Sequence, residues 1–260
     1  GHFHTVVNDK IGSTVVGAPR NSGRDVVRFD LMIDVSGEKP VVVESTVDVV
    51  DMADTAVDQS VRDLTKVAHE RTLEFINGSV DEEGNVTGGV FGVAKADFQP
   101  ENEILDIPEG KLRDTAVMDL INNVQLKYSG ADVSAAALFK DTSDIKAGNI
   151  KYANVFDIYK FDNTLYVVEV TGAELKAYME WSAECYNQWK EGDVSISFNP
   201  EKPGYLYDMF EGVDYKIDLS KPAGERIVDV MFKGAPLKDD QTLKLAVNNY
   251  RYSSGLKANN

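Results

Sequence analysis

Leu165-Tyr166-Val167-Val168-Glu169-Val170-Thr171-Gly172-Ala173-Glu174-Leu175 decides the fold, because it passes from strand to helix with only Thr171-Gly172 between. Leu165 to Val170 is rich in the β-branched and aromatic residues that suit a pleated surface. The helix that follows keeps Leu175, Met179 and Ser182 at helical spacing as far as Tyr186. Upstream, Thr115 to Tyr128 is also helical, with Val117, Leu120, Ile121, Val124 and Tyr128 on one face. Downstream, Val213 to Leu219, Arg226 to Phe232 and Leu243 to Asn248 read as strands joined by Gly- and Pro-bearing turns. From about residue 89 onward the pattern is therefore α+β, a mixed sheet with helices.

The N-terminal part is built differently. Val15-Val16, Val26 to Ile33 and Val41 to Val43 are β-rich runs separated by turns such as Gly17-Ala18-Pro19 and Asn21-Ser22-Gly23. A helix is expected from Thr55 to Asn77, capped by Asp54 and ended by Gly78. Its apolar residues Val57, Val61, Leu64, Ala68 and Phe75 form one stripe opposite a broad polar face. One-sided packing that buries Val61, Leu64 and Ala68 is the expectation, with the helix acting as a spacer. Asp81-Glu82-Glu83-Gly84-Asn85 marks a boundary, which divides the chain into 1–50, 51–88 and 89–260.

A net charge of −16 over 260 residues argues against polymeric nucleic acid as a partner, since clustered Lys and Arg would be needed. It leaves room for a small phosphorylated ligand. The single cysteine, Cys185, excludes an internal disulfide and reads as a structural thiol beside Trp181 and Tyr186. No apolar run is long enough for a membrane span, and no secretory leader opens the chain. Both ends read as cut from a longer protein.

Two constellations could carry chemistry. Gly1-His2-Phe3-His4 places two imidazoles two residues apart, so that in an extended segment both face one side. Such a pair suits a two-metal site, and equally suits solvated polar residues at a terminus. His69 belongs to the polar face of the expected helix. The second constellation is Phe161-Asp162-Asn163 with Asn248-Asn249-Tyr250. Each joins a ring for stacking to an amide for a base edge, and two together would clamp a base. The same rings could instead plug the ends of strands in a core. Tyr205 and Tyr207 are weaker candidates for stacking.

Several segments are similar, in order and with matching gaps, to one known family. They are Ser129-Gly130-Ala131-Asp132-Val133-Ser134-Ala135-Ala136-Ala137, Ile145-Lys146-Ala147-Gly148-Asn149-Ile150, Tyr159-Lys160-Phe161-Asp162-Asn163-Thr164-Leu165 and Val170-Thr171-Gly172-Ala173-Glu174-Leu175. They resemble the C-terminal domain of the 5′-nucleotidase superfamily. Tyr207-Asp208, Gly212-Val213-Asp214-Tyr215, Gly224-Glu225-Arg226-Ile227 and Asn248-Asn249-Tyr250-Arg251 bring the resemblance nearer to the bifunctional 2′,3′-cyclic-nucleotide 2′-phosphodiesterase/3′-nucleotidases. The opening GHxH and Gly23 to Leu31 resemble the last strands of that family's metallophosphatase domain. Residues 1–50 would then be a C-terminal remnant of that domain, 51–88 a linking helix and loop, and 89–260 the nucleotide-recognition domain.

The resemblance implies stacking rings at Phe161 and Tyr250, an amide at Asn163, and a substrate loop from Asn249 to Gly255 that includes Arg251, Ser253 and Ser254. It implies His2 and His4 as ligands of divalent metal ions in a full-length enzyme of nucleotide catabolism, with the catalytic residues in a preceding metallophosphatase domain. The location implied is periplasmic, secreted or cell-wall-associated. Two departures stand out. The arginine that holds phosphate in the superfamily is absent after Ala137, where Lys140 is the nearby cation, and the acidic residue that holds ribose falls near Leu256. The rival expectations are a stand-alone nucleoside-binding module and a structural surface domain.

Overall fold

The computed structural model describes residues 4–87, 89–98, 103–104, 106–140 and 142–256. The chain divides into two compact units, Gly1–His69 and Glu70–Asn260.

The first unit is made of two antiparallel hairpins. Strand β1 (Val7–Ile11) pairs with β2 (Thr14–Ala18), and β3 (Asp25–Asp34) with β4 (Val41–Asp51) from Asp25↔Asp51 outward. The base of the longer hairpin is locked by Arg20. Its Nε lies 2.7 Å from Asp25 Oδ2 and its Nη2 2.8 Å from Asp51 Oδ2. This guanidinium holds the Asp25 carboxyl down at about 2. Phe29, Leu31, Met32, Ile33, Val41, Val42 and Val43 are all exposed on this ribbon.

Helix α1 (Gln59–Asn77) crosses from the first unit into the second. It starts later than expected, because the side chain of Asp58, not Asp54, accepts from the Ser60 N–H at 2.8 Å. The expected burial of its stripe is corrected: no residue of α1 is buried, and Leu64 is 84% exposed. The apolar spacing is present, but the stripe is left uncovered enough that none of its residues is buried.

In the second unit, strands β5 (Ser79–Val80) and β6 (Val86–Thr87) form a small pair, and β7 (Val90–Ala94) follows. A second small pair, β8 (Glu103–Ile104) with β9 (Ile107–Pro108), leads to α2 (Ala116–Ser129). Next come β10 (Val133–Ala137), β11 (Gly148–Lys151), α3 (Tyr152–Ile158), β12 (Leu165–Thr171) and α4 (Gly172–Ala183). The chain continues through β13 (Asp208–Glu211), β14 (Asp214–Ile217), β15 (Ile227–Phe232), β16 (Ala235–Pro236) and β17 (Thr242–Asn248), then the single turn α5 (Asn249–Arg251).

The main sheet has the order β12-β17-β10-β13. Its outer pairs are antiparallel and the central pair, β17 with β10, is parallel, so the sheet is mixed as expected. Every residue of β10 is buried. One face of the sheet packs Val133, Ala135, Phe210, Leu243, Leu245 and Val247 with Leu175, Tyr178 and Met179 of α4. The other packs Ala136 and Met209 with Val117, Met118 and Ile121 of α2. The alternation along β10 separates these two cores. Small residues there let a helix approach on each side. A buried Asn122 on α2 ties helix to sheet: its Nδ2 donates to Met209 O at 3.2 Å and its Oδ1 accepts from Ser134 Oγ at 2.8 Å.

Helix α4 begins with a capping box. The Thr171 hydroxyl accepts from the Glu174 N–H at 3.2 Å while Glu174 Oε2 accepts from the Thr171 N–H at 2.7 Å. The helix ends at Ala183, short of Tyr186, and Cys185 is buried just beyond it, where burial pushes its thiol up to about 12. Among the described residues, no helix is long and apolar enough to cross a membrane.

Candidate functional site

Strand direction gathers the candidate residues. Because β10 and β17 run parallel, their C-terminal ends lie at the same end of the sheet. Strand β12 starts there, with Leu165 opposite Asn248, and β13 starts there, with Asp208 opposite Ala137. The loops after Ala137, before Leu165, before Asp208 and after Asn248 therefore share one end of the domain.

The two ring-and-amide units meet at that end. Asn249 Oδ1 accepts from the Thr164 N–H at 3.0 Å, and the Asn249 N–H donates to Thr164 O at 2.9 Å. This extends the β12–β17 ladder by one pair and fixes Phe161-Asp162-Asn163 beside Asn249-Tyr250. Phe161 is 47% exposed and Tyr250 51% exposed, so neither ring is a core plug. Phe161 is braced edge-on by Phe139, with ring centroids 4.8 Å apart, and Phe139 meets Tyr159 at 5.3 Å. The Lys160 ammonium stands 5.4 Å from the centre of the Phe161 ring. Asn163 Nδ2 donates to the Tyr159 hydroxyl at 3.1 Å, and burial raises the pKa of that phenol.

Tyr250 sits on α5, whose first turn is closed by Asn248 Oδ1 accepting from the Arg251 N–H at 2.7 Å. Tyr252–Leu256 continues as one wide turn. Ser253 and Ser254 are exposed in it, and the Ser254 hydroxyl donates to Tyr250 O at 2.7 Å. Gly255 is buried, where an added Cβ would lie 3.0 Å from Arg251 Cδ. Arg251 is itself buried, its Nε 2.5 Å from Asp208 Oδ2. Lys140 is exposed and paired with Asp157 at 2.8 Å. The structure thus brings Asn163, Asn249 and the Phe161 loop together, and sends Arg251 inward.

Phe139, Tyr159 and Asp208 had no assigned part in the sequence reading. Phe139 was the findable one, since an aromatic that closely follows a buried run of small residues stands at a strand end.

For the two-metal centre that the resemblance implies, His2 lies outside the described residues. His4 is exposed, with a φ of 55°. Among the described residues, the group of three ligating side chains close enough to share a cation is Asp114, Asp119 and Glu211, which does not include His4.

That acidic group has its own consequence. Desolvation, then the charge of Asp119, pushes the Asp114 carboxyl from 3.8 up to about 7. Between those values the folded chain holds a proton that the unfolded chain releases, so stability falls as pH rises through the window. Asp114→Asn is expected to raise the melting temperature of the second unit at pH 8 and to do so less at pH 5. A gain of about 1 kcal/mol, allowing for solvent screening, corresponds to ~2–4 °C. Thermal unfolding at the two pH values checks this, and an equal effect at both would contradict it.

The second unit is an α+β domain whose loops converge at one end of a mixed sheet, with two exposed rings held on adjoining loops. Residues 90–258 match the family model described as the 5′-nucleotidase, C-terminal domain, and the chain belongs to that family. It is 29% identical over 220 residues to a 2′,3′-cyclic-nucleotide 2′-phosphodiesterase/3′-nucleotidase of Salmonella typhimurium, covering 64% of this chain and 33% of the relative. It is 24% identical over 269 residues to a cell wall protein of Listeria monocytogenes, covering 98% of this chain and 31% of that protein. Among solved structures it is similar to a Staphylococcus aureus protein assigned as a 5′-nucleotidase and solved with α-ketoglutarate. The TM-score there is 0.70 at 28% identity, over 98% of this chain and 46% of that one. The chain spans less than half the length of each of these proteins.

Proposed function

We propose that this chain is the substrate-recognition portion of a metal-dependent nucleotide phosphohydrolase. In this reading Phe161 and Tyr250 stack on the two sides of one base, with Asn163 at the rim. One observation supports it: the β12–β17 register and the Asn249–Thr164 hydrogen bonds join the two loops whose rings, Phe161 and Tyr250, are exposed. Rings exposed to this degree on tethered loops are suited to a flat ligand that shields them from water.

The relatives named as phosphoesterases support a nucleotide ester as the substrate class. Divalent metal ions bound in the full-length protein would supply the hydroxide and polarise the phosphoryl oxygen. His2 and His4 are proposed as part of that centre. The domain at 89–260 grips the base and presents the phosphate, which is orientation and not bond breaking. Residues 1–50 are proposed as the last strands of the metallophosphatase domain, and the cell envelope or exterior as the location.

The purified chain is expected to bind adenosine and to release no phosphate from 3′-AMP with manganese or zinc. Calorimetry and a phosphate assay test the two halves. Metal-dependent phosphate release by the chain itself would contradict the division of labour, and failure to bind any nucleoside would remove the recognition role.

A further inference from the structure

We propose that Arg251 and Asp208 form a buried strut that sets the position of Tyr250, and that both are positioning residues for ligand stacking. This rests on the nucleotide-recognition reading above. Arg251 directly follows Tyr250, yet it is only 3% exposed, and Asp208 is 2% exposed. The guanidinium meets the carboxylate as a close ion pair, with Nε 2.5 Å from Oδ2, and its Nη2 donates to Oδ1 at 3.1 Å. The same Nη2 donates to Tyr205 O at 2.6 Å. One side chain therefore ties the Tyr250 turn both to the sheet and to the loop that carries the half-exposed Tyr205.

The far end of the strut is fixed to rigid structure. The Tyr178 hydroxyl donates to Asp208 Oδ2 at 2.6 Å. Ser182 Oγ donates to Asp208 O and accepts from the Asp208 N–H, both at 2.8 Å. Tyr178 and Ser182 belong to α4, so Asp208 is held by helix and sheet together. On the near side, the Arg251 guanidinium carbon lies 5.2 Å from the Trp181 ring. Gly255 closes over the Arg251 stem, in a space where an added Cβ would be 3.0 Å from Cδ.

A buried ion pair contributes little net stability compared with an apolar pair of the same shape, while losing one partner is strongly unfavourable. What this pair adds is direction. A planar guanidinium whose Nη2 donates to two separate acceptors, Asp208 Oδ1 and Tyr205 O, favours one orientation of the residue beside Tyr250, whereas a freely rotating ammonium would not. The strut thus acts on ligand through Tyr250 and not by contact.

The test is a binding cycle on the purified chain with adenosine as probe. Arg251→Lys is expected to weaken binding roughly tenfold or more. It is expected to add nothing in the Tyr250→Ala background. Tyr178→Phe, which removes only one bond to Asp208, should weaken binding less and keep the fold. Trp181 emission should change with Arg251→Lys, and hydrogen exchange at residues 249–256 should accelerate while β10 and β17 stay protected. If Arg251→Lys does not fold, Tyr178→Phe with unchanged binding and unchanged exchange overturns the strut. Unchanged affinity in Arg251→Lys overturns it, as does a loss that persists undiminished beside Tyr250→Ala. If the parent chain binds no adenosine, the nucleotide reading fails on its own. The exchange result then decides the strut, and equal exchange in parent and Arg251→Lys overturns it.

Discussion

Phe161→Ala and Tyr250→Ala are each expected to lower adenosine affinity by roughly 5- to 150-fold, the range set by one base–aromatic stack worth about 1–3 kcal/mol. Both rings are about half exposed, so truncation removes little packing and the fold should survive. The two losses should not add. A base held between two rings is immobilised by both, and removing one frees it to tilt on the other, so a coupling above about 0.5 kcal/mol is expected in the double mutant. Phe139→Ala should give a smaller loss, because Phe139 meets the edge of Phe161 and holds the ring in place. Titration calorimetry with the four variants checks the set. Strict additivity of Phe161→Ala and Tyr250→Ala would mean that they contact different ligands or none in common.

The residues of the candidate site were legible as residue types, but the adjacency of their loops was not. Phe161 and Tyr250 lie far apart in sequence, and the antiparallel register of Leu165 on Asn248 sets the loops that carry them side by side. Register is decided by which faces of β12 and β17 are buried and by the helices beside them, none of which spacing alone reveals. Strand β17 was readable because Leu243, Leu245 and Val247 alternate and share one buried face. The β10 segment Val133-Ser134-Ala135-Ala136-Ala137 stood out only as a resemblance, since Ser and Ala are poor strand formers. It is a strand because tertiary packing of helices on both faces demands small residues there. In α1 the failure ran the other way. A regular apolar stripe predicts a buried side, yet Leu64 and its neighbours are exposed, because a stripe shows which side could pack and not that a partner is present. Arg251 belongs by resemblance to the substrate loop, and its partner Asp208, far away in sequence, turns it inward.

Gly172→Ala is the second large effect expected, and local propensity predicts the opposite sign. Gly172 opens α4 at the end of the strand-to-helix stretch. Glycine costs a helix about 1 kcal/mol relative to alanine, so propensity alone predicts a gain. The space forbids it. A Cβ at 172 would lie 2.1 Å from the carbonyl oxygen of Lys238 and 3.0 Å from Leu237 Cγ. The first of these neighbours is backbone, and it is pinned in place. The Gly172 N–H donates to Gln241 O at 2.9 Å, the Ala173 N–H to Asp239 O at 3.0 Å, and the Gln241 N–H to Lys238 O at 3.1 Å. Relief must therefore move the whole turn that feeds β17, the strand from which Tyr250 is hung. Overpacking of this kind costs about 1–3 kcal/mol, which is a fall of roughly 2–12 °C in melting temperature for a domain of this size. Gly204→Ala is the control, because nothing lies within 4 Å of its added Cβ, and it should be close to neutral. A melting temperature for Gly172→Ala at or above that of the parent would show that the close approach of Lys238 does not exist, and that the passage from β12 into α4 needs no glycine.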